Sequence, residues 1–97
     1  DDKPYMGAPK IVLDGHNYFA TELCIVNEVP ERYLYAGELT DQEKKYAFID
    51  GSKYYTPNSD GVPEDFYIYQ ECGTPVSEHE VDNTKRQWAY VKWRLED

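Results

Sequence analysis

Most signatures of a defined chemistry are missing from this chain. No apolar run approaches the ~20 residues that a membrane-crossing helix needs. Positive charge is scarce: ten Lys and Arg stand against nineteen Asp and Glu, a net charge of −9. Nucleic acid binding needs a basic face, so this balance excludes it as an expected partner, and it disfavours an anionic membrane surface. Only two cysteines and two histidines are present. Two thiols cannot build a four-thiolate zinc site, and neither histidine lies at ligand spacing from a cysteine. No glycine-rich phosphate loop occurs, so neither a metal nor a cofactor is expected. With 97 residues the chain makes one domain, and such a chain buries only about 60–65% of its unfolded surface.

The two cysteines are Cys24 and Cys72. A bridge would close a loop of about 48 residues, worth roughly 3–4 kcal/mol in the chain-entropy picture. Cys24 lies in the apolar run Leu23-Cys24-Ile25-Val26, where a free thiol behaves as a small hydrophobe. The expectation is a buried, unbridged Cys24. The chain opens Asp1-Asp2-Lys3-Pro4, a polar start of the kind left when an export signal is removed. Residues 1–8 are expected to form an extended tail, and the protein to be extracellular or held at a bacterial cell surface.

What the chain has is strand pattern. Lys10-Ile11-Val12-Leu13 is followed by Asp14-Gly15, a strong hairpin signal, and then by an apolar stretch from His16 to Val26. Those two runs should pair. Arg32 to Leu39 reads as a third strand, with Tyr33, Tyr35 and Gly37 on one face and Leu34, Ala36 and Glu38 on the other. Thr40-Asp41-Gln42-Glu43 has the form of a capping box and leaves room for one short helix near 41–48. Ser52 to Thr56 is a short strand, and Pro57 to Pro63 is dense in turn formers. Asp65 to Gln70 is strand by composition, stopped by Gly73-Thr74-Pro75, with a polar loop over 76–86. In Gln87 to Leu95, Trp88, Tyr90, Lys92 and Arg94 share one face, while Ala89, Val91, Trp93 and Leu95 share the core face. Five to six short antiparallel strands in a small all-β barrel or sandwich follow.

Reactive templates fail at named positions. His79-Glu80-Val81-Asp82-Asn83 has Asn83 where a helical zinc motif needs its second histidine. Residues 56–67 have the outline of a calcium loop, but Thr56 and Tyr67 stand at its first and twelfth positions. Asn58, Asp60, Glu64 and Asp65 are the amide and carboxylates an improvised site would use; solvated turn residues explain them better. No nucleophile signature surrounds any serine or cysteine, and carboxylate pairs are unavoidable by chance at this density.

Aromatic residues are the surplus. Ten tyrosines and two tryptophans exceed what so small a core encloses, since each large ring buries about 150–250 Å². Some rings must stay half exposed. Trp88 and Tyr90, on the polar side of what reads as an edge strand, are the first candidates for a binding ridge, joined by Tyr67 and Tyr69 if their strand lies alongside. The plainer explanation is that Tyr is the strand former used here, ring packed and hydroxyl wet.

Pro9 to Tyr18, Val29 to Leu39, Asp50 to Tyr55 and Phe66 to Tyr69 together resemble segments of small exported domains and lipoproteins of gut Firmicutes. The likeness spans roughly residues 9–70. Arg32 stands where that family often has glycine, and the Trp-containing end is not clearly shared. The resemblance implies export and a β fold and carries over no catalytic residue. The functional expectation is a non-enzymatic binding domain for a protein or glycan. An acidic accessory or inhibitor-like protein for a basic partner is the alternative, and a small hydrolase built around His16 or His79 a third.

Overall fold

The computed structural model of the protein describes residues 9–78 and 80–96. The expected tail at 1–8 and His79 lie outside the described residues. Six strands form a single antiparallel sheet: β1 (Lys10–Leu13), β2 (His16–Val26), β3 (Tyr33–Glu38), β4 (Lys53–Pro57), β5 (Asp65–Ser77) and β6 (Glu80–Leu95). Their order across the sheet is β1-β2-β6-β5-β4-β3. The fold is all-β, a sheet curled into a half-barrel. No helix among the described residues is long and apolar enough to cross a membrane.

The first hairpin forms as its turn chemistry requires. Asp14 and Gly15 both have positive φ, 53° and 82°, the pair of values a two-residue type I′ turn needs. Leu13 then faces His16, and the register runs to Lys10 opposite Phe19. In β6 the alternation holds: Ala89, Val91 and Trp93 are buried and Trp88 is exposed. Ile11, Tyr18, Phe66, Ile68, Val91 and Trp93 make the centre of the core on one face of the sheet. Truncating a fully buried ring such as Trp93 to alanine would cost about 3–5 kcal/mol.

The segment after β3 covers that core. Leu39 and Ala47 are buried, and Ile49 packs against the cluster. Its backbone also reaches the outer edge of β1: Lys10 N donates to Tyr46 O at 3.0 Å and Val12 N to Glu43 O at 3.2 Å. Chain leaving one end of the sheet therefore closes over the other. Gly51 makes this crossing possible. It has φ 127°, and a β-carbon there would collide with the Tyr69 carbonyl.

Three expectations are corrected. Residues 41–48 form turns with one bridge to Lys10 and no helix. The capping box itself is present, Thr40 N to Glu43 Oε1 at 2.8 Å and Glu43 N to Thr40 Oγ1 at 3.1 Å; it closes a turn whose backbone then pairs with β1 instead of propagating. Gly73-Thr74-Pro75 does not stop β5, nor is 76–86 a loop. The strands run on as a hairpin to Ser77 opposite Glu80, absorbing the breakers in register shifts at 72–74 and 75–77. Finally, Tyr33 and Tyr35 share a face as expected, their rings against Tyr67 and Tyr55, but the alternation of β3 breaks at an irregularity between Tyr35 and Gly37, and Leu34, Tyr35 and Ala36 are all exposed.

Candidate functional site

The second face of the sheet has no covering layer among the described residues, and rings fill it. Register alone places them together: Tyr69 faces Tyr90, Glu71 faces Trp88 and Tyr67 faces Lys92 between β5 and β6, while Tyr55 faces Tyr67 and Tyr35 faces Tyr55 across β4. The result is a continuous series. Ring centroids are 5.5 Å apart for Tyr35 and Tyr55, 5.4 Å for Tyr55 and Tyr90, 4.9 Å for Tyr90 and Tyr69, and 5.5 Å for Tyr69 and Trp88. The interplanar angles, 36–83°, are those of tilted and edge-to-face pairs, which add about 0.5–1.5 kcal/mol each beyond area burial.

All four ring residues expected at a site, Trp88, Tyr90, Tyr67 and Tyr69, share this face. Their exposure differs. Trp88 is 49% exposed and Tyr69 is also exposed, Tyr90 is half-buried, and Tyr67 is buried at 4%. Tyr67 is thus the floor of the face and no part of a ridge. Nor are the strands edges: β5 and β6 are central, so the rings occupy the middle of the sheet. Tyr55 and Tyr35 carry no such signal in the sequence, because their place beside Tyr90 depends on strand order and not on local pattern.

One flank of the face is polar and ordered. Tyr33 packs edge-on against Tyr67, centroids 4.8 Å apart, and its hydroxyl donates to Asp65 Oδ1. Arg32 lies over the Tyr33 ring at 4.6 Å and donates to its hydroxyl at 3.1 Å. Lys92 Nζ stands 3.9 Å from Asp65 and 5.7 Å from the Tyr67 ring centre. Burial, then the hydrogen bond to Asp65 and its charge, push the Tyr33 phenol far above its ordinary range, with Arg32 opposing. Burial pushes Tyr67 up against the opposing Lys92 charge, and burial with the neighbouring Tyr55 pushes Tyr90 up.

Other clefts hold less chemistry. Asp14 and His16 line a cleft of about 220 Å³ with Leu13, Tyr18 and residues 61–63, and no Ser, Thr or Cys is among its lining residues. Of the improvised calcium set, Asp60, Glu64 and Asp65 line a shallow pocket of about 170 Å³, but Arg32 lines it too and puts a positive charge where a cation would sit. Among the described residues no three His, Cys, Asp or Glu side chains are grouped to hold a metal ion. Both cysteines are free thiols; Cys72 is buried, whereas Cys24, expected buried, is only half-buried.

Compared with protein families, curated proteins and solved structures, the chain matches none.

Proposed function

We propose that this is a non-enzymatic binding domain, exported or displayed at a cell surface, that engages a protein partner through its ring-lined sheet face. The observation that carries the reading is the unbroken contact series Tyr35–Tyr55–Tyr90–Tyr69–Trp88, whose two ends are exposed. A chain of rings in mutual contact is rigid before a partner arrives, so it offers contact area at little conformational cost. The tilted ring planes favour an irregular protein surface over a glycan, which would stack on flat, parallel faces. The likeness of residues 9–70 to exported domains supports the location. The net charge of −9 favours the acidic accessory role as a second reading, in which binding would weaken steeply with salt.

The test is a paired screen of the full chain and its Trp88→Ala, Tyr90→Ala variant against displayed proteins and a glycan array. A protein partner kept by the parent and lost by a variant of similar thermal midpoint supports the proposal. A partner held equally by both, or only glycan hits, sinks it. Collapse of thermal stability in the variant assigns those rings to structure and removes the site.

A further inference from the structure

The core face has a second feature that neither folding nor the ring series uses. Between the sheet and the crossing segment lies a cavity of about 430 Å³, within the ~300–1,000 Å³ range of small-molecule sites. Its walls include Ala20, Ile25, Val91 and Trp93, with Gln70 and Cys72 from β5.

Gln70 supplies a polar handle. It is 6% exposed, and its Oε1 accepts from Trp93 Nε1 at 2.9 Å. That bond fixes the amide's orientation and leaves Nε2 as a donor without a partner among the described residues. No fully buried side-chain nitrogen or oxygen lacks a partner among those residues, so Nε2 keeps an opening, and the space Gln70 lines is this cavity. A donor opening there can bond an acceptor that enters the cavity.

Phe48 is the independent sign. It borders the cavity, yet the residue is 82% exposed and its φ is +55°. A bulky residue is a genuine outlier at positive φ, where Gly or Asn belongs. Here no core packing compensates for that conformation. Residues held at sparsely populated backbone angles cluster at active sites and ligand clamps.

The charge around the opening is mixed. Asp50 and Glu71 line it against Arg86, an excess of one negative charge that, with the net charge of −9, repels anions. A cation would still lose hydration against the apolar part of the lining, Ala20, Ile25 and Val91. We infer that this cavity binds a small, uncharged, largely apolar molecule bearing one hydrogen-bond acceptor, held by the Gln70 amide and covered by the Phe48 ring.

The test uses four probes with one apolar tail: 2-octanone, octane, octanoate and octylamine. The protein is the full chain carrying Trp88→Phe, so that emission reports Trp93 alone. Alkylation of Cys72 is a second readout, with Cys24, which lines no part of the cavity, as reference. The inference expects 2-octanone to shift Trp93 emission saturably and slow Cys72 alkylation, with the two ionic probes about tenfold weaker or more. Octane, lacking the acceptor, should be about fivefold weaker, the worth of one net hydrogen bond. Phe48→Gly should weaken 2-octanone about fivefold or more through lost ring contact, while leaving thermal stability unchanged or raised as the strain goes. No saturable effect from any probe overturns the site. Equal or tighter binding of octanoate or octylamine overturns the uncharged ligand, and equal binding of octane overturns the role of Gln70. A Phe48→Gly chain that binds unchanged, or is less stable, overturns the ring's role.

Discussion

Trp93 and Gln70 are joined across the β5–β6 pair by a buried hydrogen bond, indole Nε1 to amide Oε1, 2.9 Å long. Gln70 is a buried polar side chain within an otherwise apolar core, and the bond ties the chain's largest fully buried side chain to one orientation. Gln70→Leu should therefore destabilise, even though it puts a hydrophobe into a core. The indole donor loses its acceptor, at a cost of about 1–3 kcal/mol. A urea midpoint lowered by that amount at unchanged slope is the expected result. Adding Trp93→Phe, which removes the stranded donor, should cost less than the two single changes summed.

The ring face should divide sharply under alanine substitution. Tyr67, buried beneath Tyr33 and Lys92, should cost about 3 kcal/mol or more when truncated. Tyr35, 57% exposed at the end of the series, should stay within about 0.5–1 kcal/mol of the parent. Chemical denaturation of the two variants checks the ordering, and equal losses would contradict the arrangement.

Alkaline pH should unfold the protein through its phenols. Tyr33, Tyr54, Tyr67 and Tyr90 are all raised above the ordinary tyrosine value, each first by burial. A phenol raised on folding contributes stability that is complete below its unfolded value of about 10 and is lost as pH climbs through the folded value. Thermal midpoints should thus hold steady to about pH 9 and fall beyond about pH 10. In Tyr33→Phe, which removes the most strongly raised group, the alkaline decline should be shallower than in the parent.

Thiol reactivity should be unequal. Denatured, unreduced protein is expected to titrate two thiols, and a count of zero at monomer mass would show a bridge. In the native state Cys24, half-buried, should be alkylated well before Cys72. Burial both shields Cys72 and pushes its thiol up, an effect that the nearby Arg86 charge opposes.

Where local chemistry decided structure, the sequence was readable. Asp14-Gly15 dictated a turn, and the turn set the β1–β2 register. Trp88 to Leu95 declared its faces because one of them is core. Residues 76–86 hid their pairing for the opposite reason. That part of the hairpin projects beyond the core, Thr74 opposite Asp82 and Ser77 opposite Glu80, so no apolar alternation marks it. Thr40 and Glu43 show a third case, in which the local signal was right and its usual sequel was overridden. The carbonyls of Glu43 and Tyr46 accept from β1 instead of from a following helical turn. The site was half visible: alternation paired Trp88 with Tyr90, while the company of Tyr55, and the cavity behind Gln70, depend on which strands become neighbours.

The crossing segment treats the sheet's two borders unequally, and this limits how copies of the chain can join. The β1 border is already occupied by the backbone of residues 43–46. The β3 border has no described strand beyond it, nor do the outer sides of the hairpin past Ile68 on β5 and ahead of Tyr90 on β6. Border-to-border addition of one molecule to the next needs two unlike free borders on each. With the β1 border covered, strand addition between copies is confined to the β3 border and to the outer sides of the projecting β5–β6 hairpin.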